Sequence, residues 1–161
     1  MADDAGFEAF WSRERDRIRL ALLLTLNDAP LAAEAVDEAM ARAYPRWSRV
    51  SSLRDPAGWV FRVGLNWARS SLRKRGLRPT LSVEALDRAA GGEQDLPATD
   101  GALWAAVARL PVKQRAVIVL RFYLDWPLEQ IAEALEIPPG TVKSRLHRAL
   151  KALGSTKEVR R

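Results

Sequence analysis

The chain has 161 residues, room for one ordinary domain or two small ones, and 48% of them are hydrophobic, enough for a packed core. It holds 26 Lys/Arg against 20 Asp/Glu, a formal charge of +6, which favours polyanionic partners, nucleic acid before anionic membrane. The absence of cysteine excludes disulfides and thiolate zinc sites, and a lone histidine, His147, argues against a catalytic triad or a His-based metal cluster, so no cofactor and no metal is expected.

The sequence opens on Asp3 and Asp4 rather than on a basic stretch. Its longest apolar run, around Leu20–Leu24, is far short of the roughly 20 residues a membrane span needs. A cytoplasmic location without membrane insertion is therefore expected. Charge is unevenly spread. Residues 1–79 carry 14 basic and 10 acidic side chains, residues 80–100 carry 1 and 5, and residues 101–161 carry 11 and 5. Two basic blocks flanking an acidic segment read as two domains and a linker.

Apolar positions at Phe7, Phe10, Trp11, Ile18, Ala21 and Leu22 predict a first helix over 7–26. Asn27, Asp28 and Pro30 end it and begin a second over 31–44, with Leu31, Ala35, Val36, Ala39, Met40 and Ala43 as its stripe; Pro45 closes or kinks that helix. Residues 48–54, rich in Ser and Arg, read as loop. Asp55 before Pro56 is a helix-start signal, an N-cap acid followed by Pro at the first helical position, and the third helix runs to about Arg75, where Gly76 stops it. Residues 77–100 show little periodicity beyond a helical turn near 83–89. As a coil they span roughly 27 Å root-mean-square, enough to let two modules sit on separate stretches of one DNA.

Asp100 caps a predicted fourth helix over 101–109, and Pro111 opens a fifth over 111–123 with Val112, Ala116, Val117, Val119 and Leu120 inward. A sixth covers 127–135 and a seventh 141–153, ended by Gly154. No alternating run or Asn-Gly hairpin suggests a strand. The expected fold is all-α: two small helical domains, 1–78 and 101–161, joined by a flexible linker at 79–100.

The segment 127–153 carries the sharpest motif. Leu128, Ile131, Ala132 and Leu135 form the buried stripe of one helix, and Val142, Leu146, Ala149, Leu150 and Leu153 that of the next. A short turn with Ile137 as its plug and Gly140 inside it suits two helices crossing steeply, a helix-turn-helix. The outer face of the second helix shows Thr141, Lys143, Ser144, Arg145, His147, Arg148 and Lys151, and residues 141–151 contain no acid. Ser144, Arg145 and Arg148 can reach base edges in the major groove, Lys143 and Lys151 suit phosphates, and the Thr141 hydroxyl suits a phosphate at the helix start. A solvated basic face is the bland reading, and the crossing pattern together with the acid-free face favours DNA.

The third helix reads DPAGWVFRVGLNWARSSLRKRG. Its tryptophans interleave with Arg62, Asn66, Arg69, Arg73, Lys74 and Arg75, a mixture that suits single-stranded or melted DNA, where bases stack and phosphates need neutralising. Trp67 and Phe61 are expected in the core instead. The second helix exposes Glu34, Asp37, Glu38 and Arg42, with Arg46 just beyond, either plain soluble surface or a docking face.

These segments resemble the small two-domain extracytoplasmic-function (ECF, group IV) members of the sigma-70 superfamily, with an Ala- and Arg-rich look like that of actinobacterial members. Residues 7–78 are similar to region 2, EAVDEAMARAYPRW (34–47) to the part that grips the polymerase β′ clamp helices, and GWVFRVGLNWARSSLRKR (58–75) to the promoter-melting part. Residues 101–154 resemble region 4. The resemblance implies a sigma factor, not an enzyme, that binds core RNA polymerase through β′ and the β flap, recognises and melts promoter DNA, and has an anti-sigma partner. It places Ser51, Ser52, Arg54, Trp59, Arg62, Asn66, Arg69, Arg73 and Arg75 at the minus-ten strand or adjoining backbone. It places Thr141, Lys143, Ser144, Arg145, Arg148 and Lys151 at the minus-thirty-five element, and Glu34, Asp37, Glu38, Arg42 and Arg46 against the polymerase. The residues alone leave two rivals, an autonomous helix-turn-helix regulator that needs no polymerase and a sigma-like decoy.

Overall fold

In the computed structural model, which describes residues 3–76 and 101–154, three aspartates start the N-terminal helices. The side chain of Asp3 accepts from the Gly6 N–H (2.9 Å), that of Asp28 from the Leu31 N–H (3.0 Å) and that of Asp55 from the Gly58 N–H (3.0 Å). Each satisfies an N–H that has no partner within its helix. The helices they open are α1 (Asp4–Leu26), α2 (Ala29–Ala43) and α4 (Pro56–Lys74). Asn27 ends α1 in the left-handed conformation, and Gly76, at φ 69°, sits just past the end of α4. The predicted loop over 48–54 is partly helical instead. A 3₁₀ turn (Tyr44–Arg46) and a one-turn helix α3 (Trp47–Val50) carry the chain on from α2. Trp47 and Val50 are buried there, and their burial outweighs the Ser/Arg composition that suggested coil.

The C-terminal unit comprises α5 (Gly101–Ala108), α6 (Val112–Ile118), a π-helical turn (Val119–Tyr123), α7 (Leu128–Leu135) and α8 (Pro139–Gly154). The described residues are all-α, with no strand among them. The single fifth helix expected over 111–123 is thus two pieces, and the π turn leaves Phe122 56% exposed. The turn between α7 and α8 also differs from expectation. Its left-handed residue is Glu136 (φ 53°), while Gly140 already lies in the first turn of α8. Leu150, expected in the buried stripe, is 45% exposed, whereas Val142, Ala149 and Leu153 are buried. The expected helical turn near 83–89 and the Asp100 cap lie outside the described residues.

Phe61, Val60, Leu65 and Leu72 of α4 are buried where it packs on α2 and α1; Phe61 is core, as expected, while Trp67 is only half-buried. The closest approach is at Gly64, where an added Cβ would lie 3.1 Å from the Ala35 carbonyl oxygen and 3.1 Å from Leu22 Cδ1. At the end of α2, Tyr44 Oη donates to Asp4 (2.6 Å) and Phe7 stacks edge-on against Tyr44 and Trp47, tying the start of α1 to α2 and α3. In the C-terminal unit Arg115 is 1% exposed; its Nη1 donates to the Ala108 carbonyl at the end of α5 (3.4 Å), and burial lowers its pKa to about 10, still charged at neutral pH.

The two units do not stand apart. α4 packs on α7, and α1 packs on α5, α6 and the π turn, so the buried apolar residues of both halves form one cluster. Arg17 Nη2 donates to the Leu124 carbonyl (3.0 Å) across this seam. A side chain at Gly64 would have to displace α2 backbone as well as the Leu22 tip. Gly64→Val should therefore cost about 1–3 kcal/mol, a melting point several degrees lower in a thermal scan; an unchanged melting point would contradict this packing.

Candidate nucleic-acid interface

The residues expected at the minus-thirty-five element lie along α8. Lys143, Ser144, Arg148 and Lys151 are exposed on one side of it. Thr141 is half-buried at its first turn. Val142 and Ala149 anchor the opposite side, packed toward α6 and α7. Pro138 and Pro139 precede or open the helix, and Thr141 and Val142 donate their N–H groups to the Pro138 carbonyl (2.9 and 3.2 Å), so the helix start is held by backbone geometry. Arg145 departs from the exposed row. It is half-buried and lines a cleft of about 200 Å³ together with Arg62, Leu65, Asn66 and Arg69 of α4 and Lys113 of α6.

The residues expected at the minus-ten strand fall into three groups. Ser51, Ser52 and Arg54 are exposed in the turn between α3 and α4, where Ser52 Oγ donates to the Arg49 carbonyl (2.7 Å). Trp59, Arg62, Asn66 and Arg69 lie along α4 toward the C-terminal unit, and Arg73 and Arg75 are exposed at its end. Trp59 and Arg62 line a second, larger cleft of about 390 Å³ with Arg46, Arg49 and Asp55, closed on the far side by Glu133, Ala134 and Glu136 of the helix-turn-helix. Within it Arg62 Nη1 lies 3.4 Å from Glu136 Oε2. Arg69 sits near Arg73 and Arg145, and burial with those two like charges lowers its pKa.

Of the residues expected against the polymerase, Glu34, Asp37, Glu38 and Arg42 lie on α2 and Arg46 in the 3₁₀ turn that follows it. Glu34, Asp37 and Arg42 are exposed; Asp37 pairs with Arg15 of α1 (3.0 Å), Glu38 with Arg42 (3.1 Å), and Arg46 donates to the Arg42 carbonyl (3.1 Å). These are surface pairs, each contributing about 0–1 kcal/mol, so they leave the face free to exchange partners.

Two environments escaped the sequence reading. Ala134 lies outside the predicted buried stripe of α7, yet is 4% exposed because α4 covers it: a Cβ at Gly58 would stand 3.0 Å from the Ala134 Cβ. Asp55, predicted as a cap, is also desolvated. Burial raises its pKa above the ordinary 3.8; the Gly58 N–H and the Gln130 side chain pull it down, and the nearby Glu133 and Glu14 push it up.

Comparison with known proteins decides the family. The description "Sigma-70, region 4" matches residues 100–153. The chain is 38% identical over 145 residues to the ECF RNA polymerase sigma factor SigL of Mycobacterium tuberculosis, covering 86% of this chain and 80% of that one. The chain belongs to the ECF sigma factors. It is also 32% identical over 143 residues to the RNA polymerase sigma factor SigV of Bacillus subtilis, covering 87% of this sigma factor and 83% of that one. Its fold is that of the sigma factor RpoE of Bartonella quintana, solved in complex with the anti-sigma factor NepR. There the TM-score is 0.74 at 21% identity, over 97% of this sigma factor and 99% of that chain.

The Asp55 carboxyl gives this sigma factor a pH signature. A carboxyl with a raised folded pKa holds its proton more readily folded than unfolded. Its stabilising contribution is therefore present below the unfolded value and is lost as pH rises through the folded one. Asn caps as well as Asp without the charge. Asp55→Asn should melt no lower than the wild type at pH 7 and lose that advantage near pH 4; a variant several degrees less stable at pH 7 would contradict the desolvation.

Proposed function

We propose that this sigma factor acts as the promoter-specificity subunit of RNA polymerase, gripping DNA at two points, and that it has no catalytic activity of its own. The observation that carries the reading is the exposed, acid-free row Lys143, Ser144, Arg148 and Lys151 on the second helix of the helix-turn-helix, in a chain of this family. In this reading residues 101–161 form the region 4 domain and residues 1–78 the region 2 domain, with 79–100 as the linker. Arg148, with Ser144 and Arg145, reads base edges of the minus-thirty-five element, Arg being suited to bidentate pairing with guanine. Thr141, Lys143 and Lys151 hold phosphates.

The α4 face supplies the second point. Trp59, Arg62, Asn66 and Arg69, with Ser51, Ser52 and Arg54 in the preceding turn, receive the melted minus-ten strand, combining stacking surface, amide and guanidinium groups. Arg73 and Arg75 hold the adjoining backbone. The outer side of α2 (Glu34, Asp37, Glu38, Arg42, Arg46) docks on the β′ clamp helices of core polymerase, and the C-terminal unit on the β flap. An anti-sigma factor is the further partner, as the structural neighbour was solved with one. No described helix is long and apolar enough to cross a membrane, in keeping with action at DNA in the cytoplasm.

In vitro transcription with core polymerase tests the whole reading: a promoter-specific transcript is expected, and sequence-specific duplex binding without polymerase, with no transcript, would favour an autonomous regulator. The roles along α8 separate by salt and sequence. Lys151→Ala should weaken binding equally on all promoter variants and reduce the salt slope by about 0.9. Arg148→Ala should cost roughly 1–3 kcal/mol at one base pair and relax specificity there. Identical behaviour of the two variants across promoter sequences would overturn the assignment.

A further inference from the structure

We propose that the smaller cleft, between α4 and the C-terminal unit, is a binding site for a small oligophosphate, either free or as the phosphate tail of a nucleotide. This goes beyond the promoter reading, which assigns Arg62, Asn66, Arg69 and Arg145 to DNA, gives Lys113 no role and names no small ligand.

The first observation is charge without counter-charge. Arg62 and Arg69 of α4, Lys113 of α6 and Arg145 of α8 line the cleft, Asn66 adds an amide, and no carboxylate is among the lining residues. Glu136 reaches Arg62 from the larger cleft (3.4 Å), but Arg69, Lys113 and Arg145 have no ion pair among the described residues. The second is mutual crowding. Burial, and then the like charges of Arg73 and Arg145, lower the Arg69 pKa. A multivalent anion relieves several of these charges at once, which a monovalent counter-ion cannot do.

The third observation is arrangement. The cations come from three helices and converge, whereas a row along one helix would suit an extended DNA backbone. Each guanidinium offers paired N–H donors that match phosphate oxygens, and the lysine adds a point charge. The fourth is size. The cleft holds about 200 Å³, less than the roughly 300–1,000 Å³ of sites for drug-sized ligands, so it suits a short phosphate chain and leaves a nucleoside outside it. Its floor includes Leu65 and Ala116, both buried, and such a low-dielectric wall strengthens each charged hydrogen bond.

The full-length protein is titrated with sodium pyrophosphate by isothermal calorimetry at a constant ionic strength of about 0.15 M, without divalent cations. One pyrophosphate per chain is expected, with a dissociation constant below about 1 mM and an affinity about fivefold or more above that for orthophosphate. Because the anion would bridge both units, pyrophosphate at about ten times its dissociation constant should raise the melting point by roughly 3–5 °C. Lys113→Ala, on an exposed residue of α6, should weaken binding about threefold or more, as should Arg69→Ala. Arg109→Ala removes another exposed cation of the C-terminal unit, outside the cleft, and should bind as the wild type does.

Adenosine triphosphate and inorganic tripolyphosphate, titrated in the same way, separate the two sources. Equal affinities support a free oligophosphate, and an affinity about fivefold tighter for the nucleotide supports a nucleotide whose base finds a contact beside the cleft. If Arg69→Ala fails to fold, Lys113→Ala decides alone. No saturable binding, equal affinity for pyrophosphate and orthophosphate, or undiminished binding by Lys113→Ala overturns the site. An equal loss in Arg109→Ala overturns it as well, since that result means diffuse attraction to a basic protein.

Discussion

Everything in the structure depends on α4 being approached at the backbone from two directions. Gly64 lets Ala35 and Leu22 come up against one side, and Gly58 lets Ala134 come up against another. Six residues at 100° each turn the helix by about 600°, so the two glycines face sides some 120° apart. The first contact builds the N-terminal unit. The second joins it to the helix-turn-helix. By the same count Arg62, Asn66 and Arg69 stand about 40°, 80° and 20° from Gly58, on the side that meets the second unit, so the helix that organises the fold is also the one whose polar side that unit partly shades.

The Gly58 position illustrates how tightly cap and seam are bound together. A Cβ there would strike the Asp55 carboxylate that caps α4 as well as Ala134 across the seam. The same carboxylate is desolvated beside Gln130 and Glu133 of α7. Helix initiation, domain contact and the electrostatics of the larger cleft therefore share one glycine and one aspartate.

Local signals were legible in the sequence, because capping is a property of three or four successive residues. Asp28 and Asp55 cap where the Asp-x-Pro and Asp-Pro dipeptides place them, and the stripe Leu31, Ala35, Val36, Ala39, Met40, Ala43 is buried throughout. The seam was not legible. Ala134, on a polar flank of α7 by periodicity, owes its burial to a helix some 70 residues away, and a one-sequence pattern of 3.6 residues carries no record of a partner. The half-burial of Arg145 was hidden for the same reason: spacing puts it on the outer side of α8, and only the position of α4 turns it into a cleft. Glu136 taking the left-handed position, with Gly140 available nearby, shows the limit of turn chemistry, because a tolerated strain of this kind is set by the crossing of α7 and α8 and not by composition. The candidate site residues of α4 stand out in the sequence as a mixture of aromatic and basic groups, though composition could not say which of them share a cleft with the second unit.

The seam is also electrostatically mixed. Among the described residues Arg62 pairs with Glu136, an exposed glutamate, which contributes about 0–1 kcal/mol, while Arg69 faces Arg145 with like charge. An apolar contact opposed by like charge gains from the covalent joining of the halves. For two units joined through 24 residues, an effective concentration of millimolar order means that a seam worth only about 4 kcal/mol at the 1 M standard state already divides the population evenly. Elements named minus ten and minus thirty-five lie about 25 base pairs apart, roughly 85 Å of duplex at 3.4 Å per step. The connection fully stretched reaches about 80–86 Å. A chain that grips both elements, as proposed, must therefore part the two units, which makes the packed and promoter-bound arrangements alternatives rather than variations of one shape.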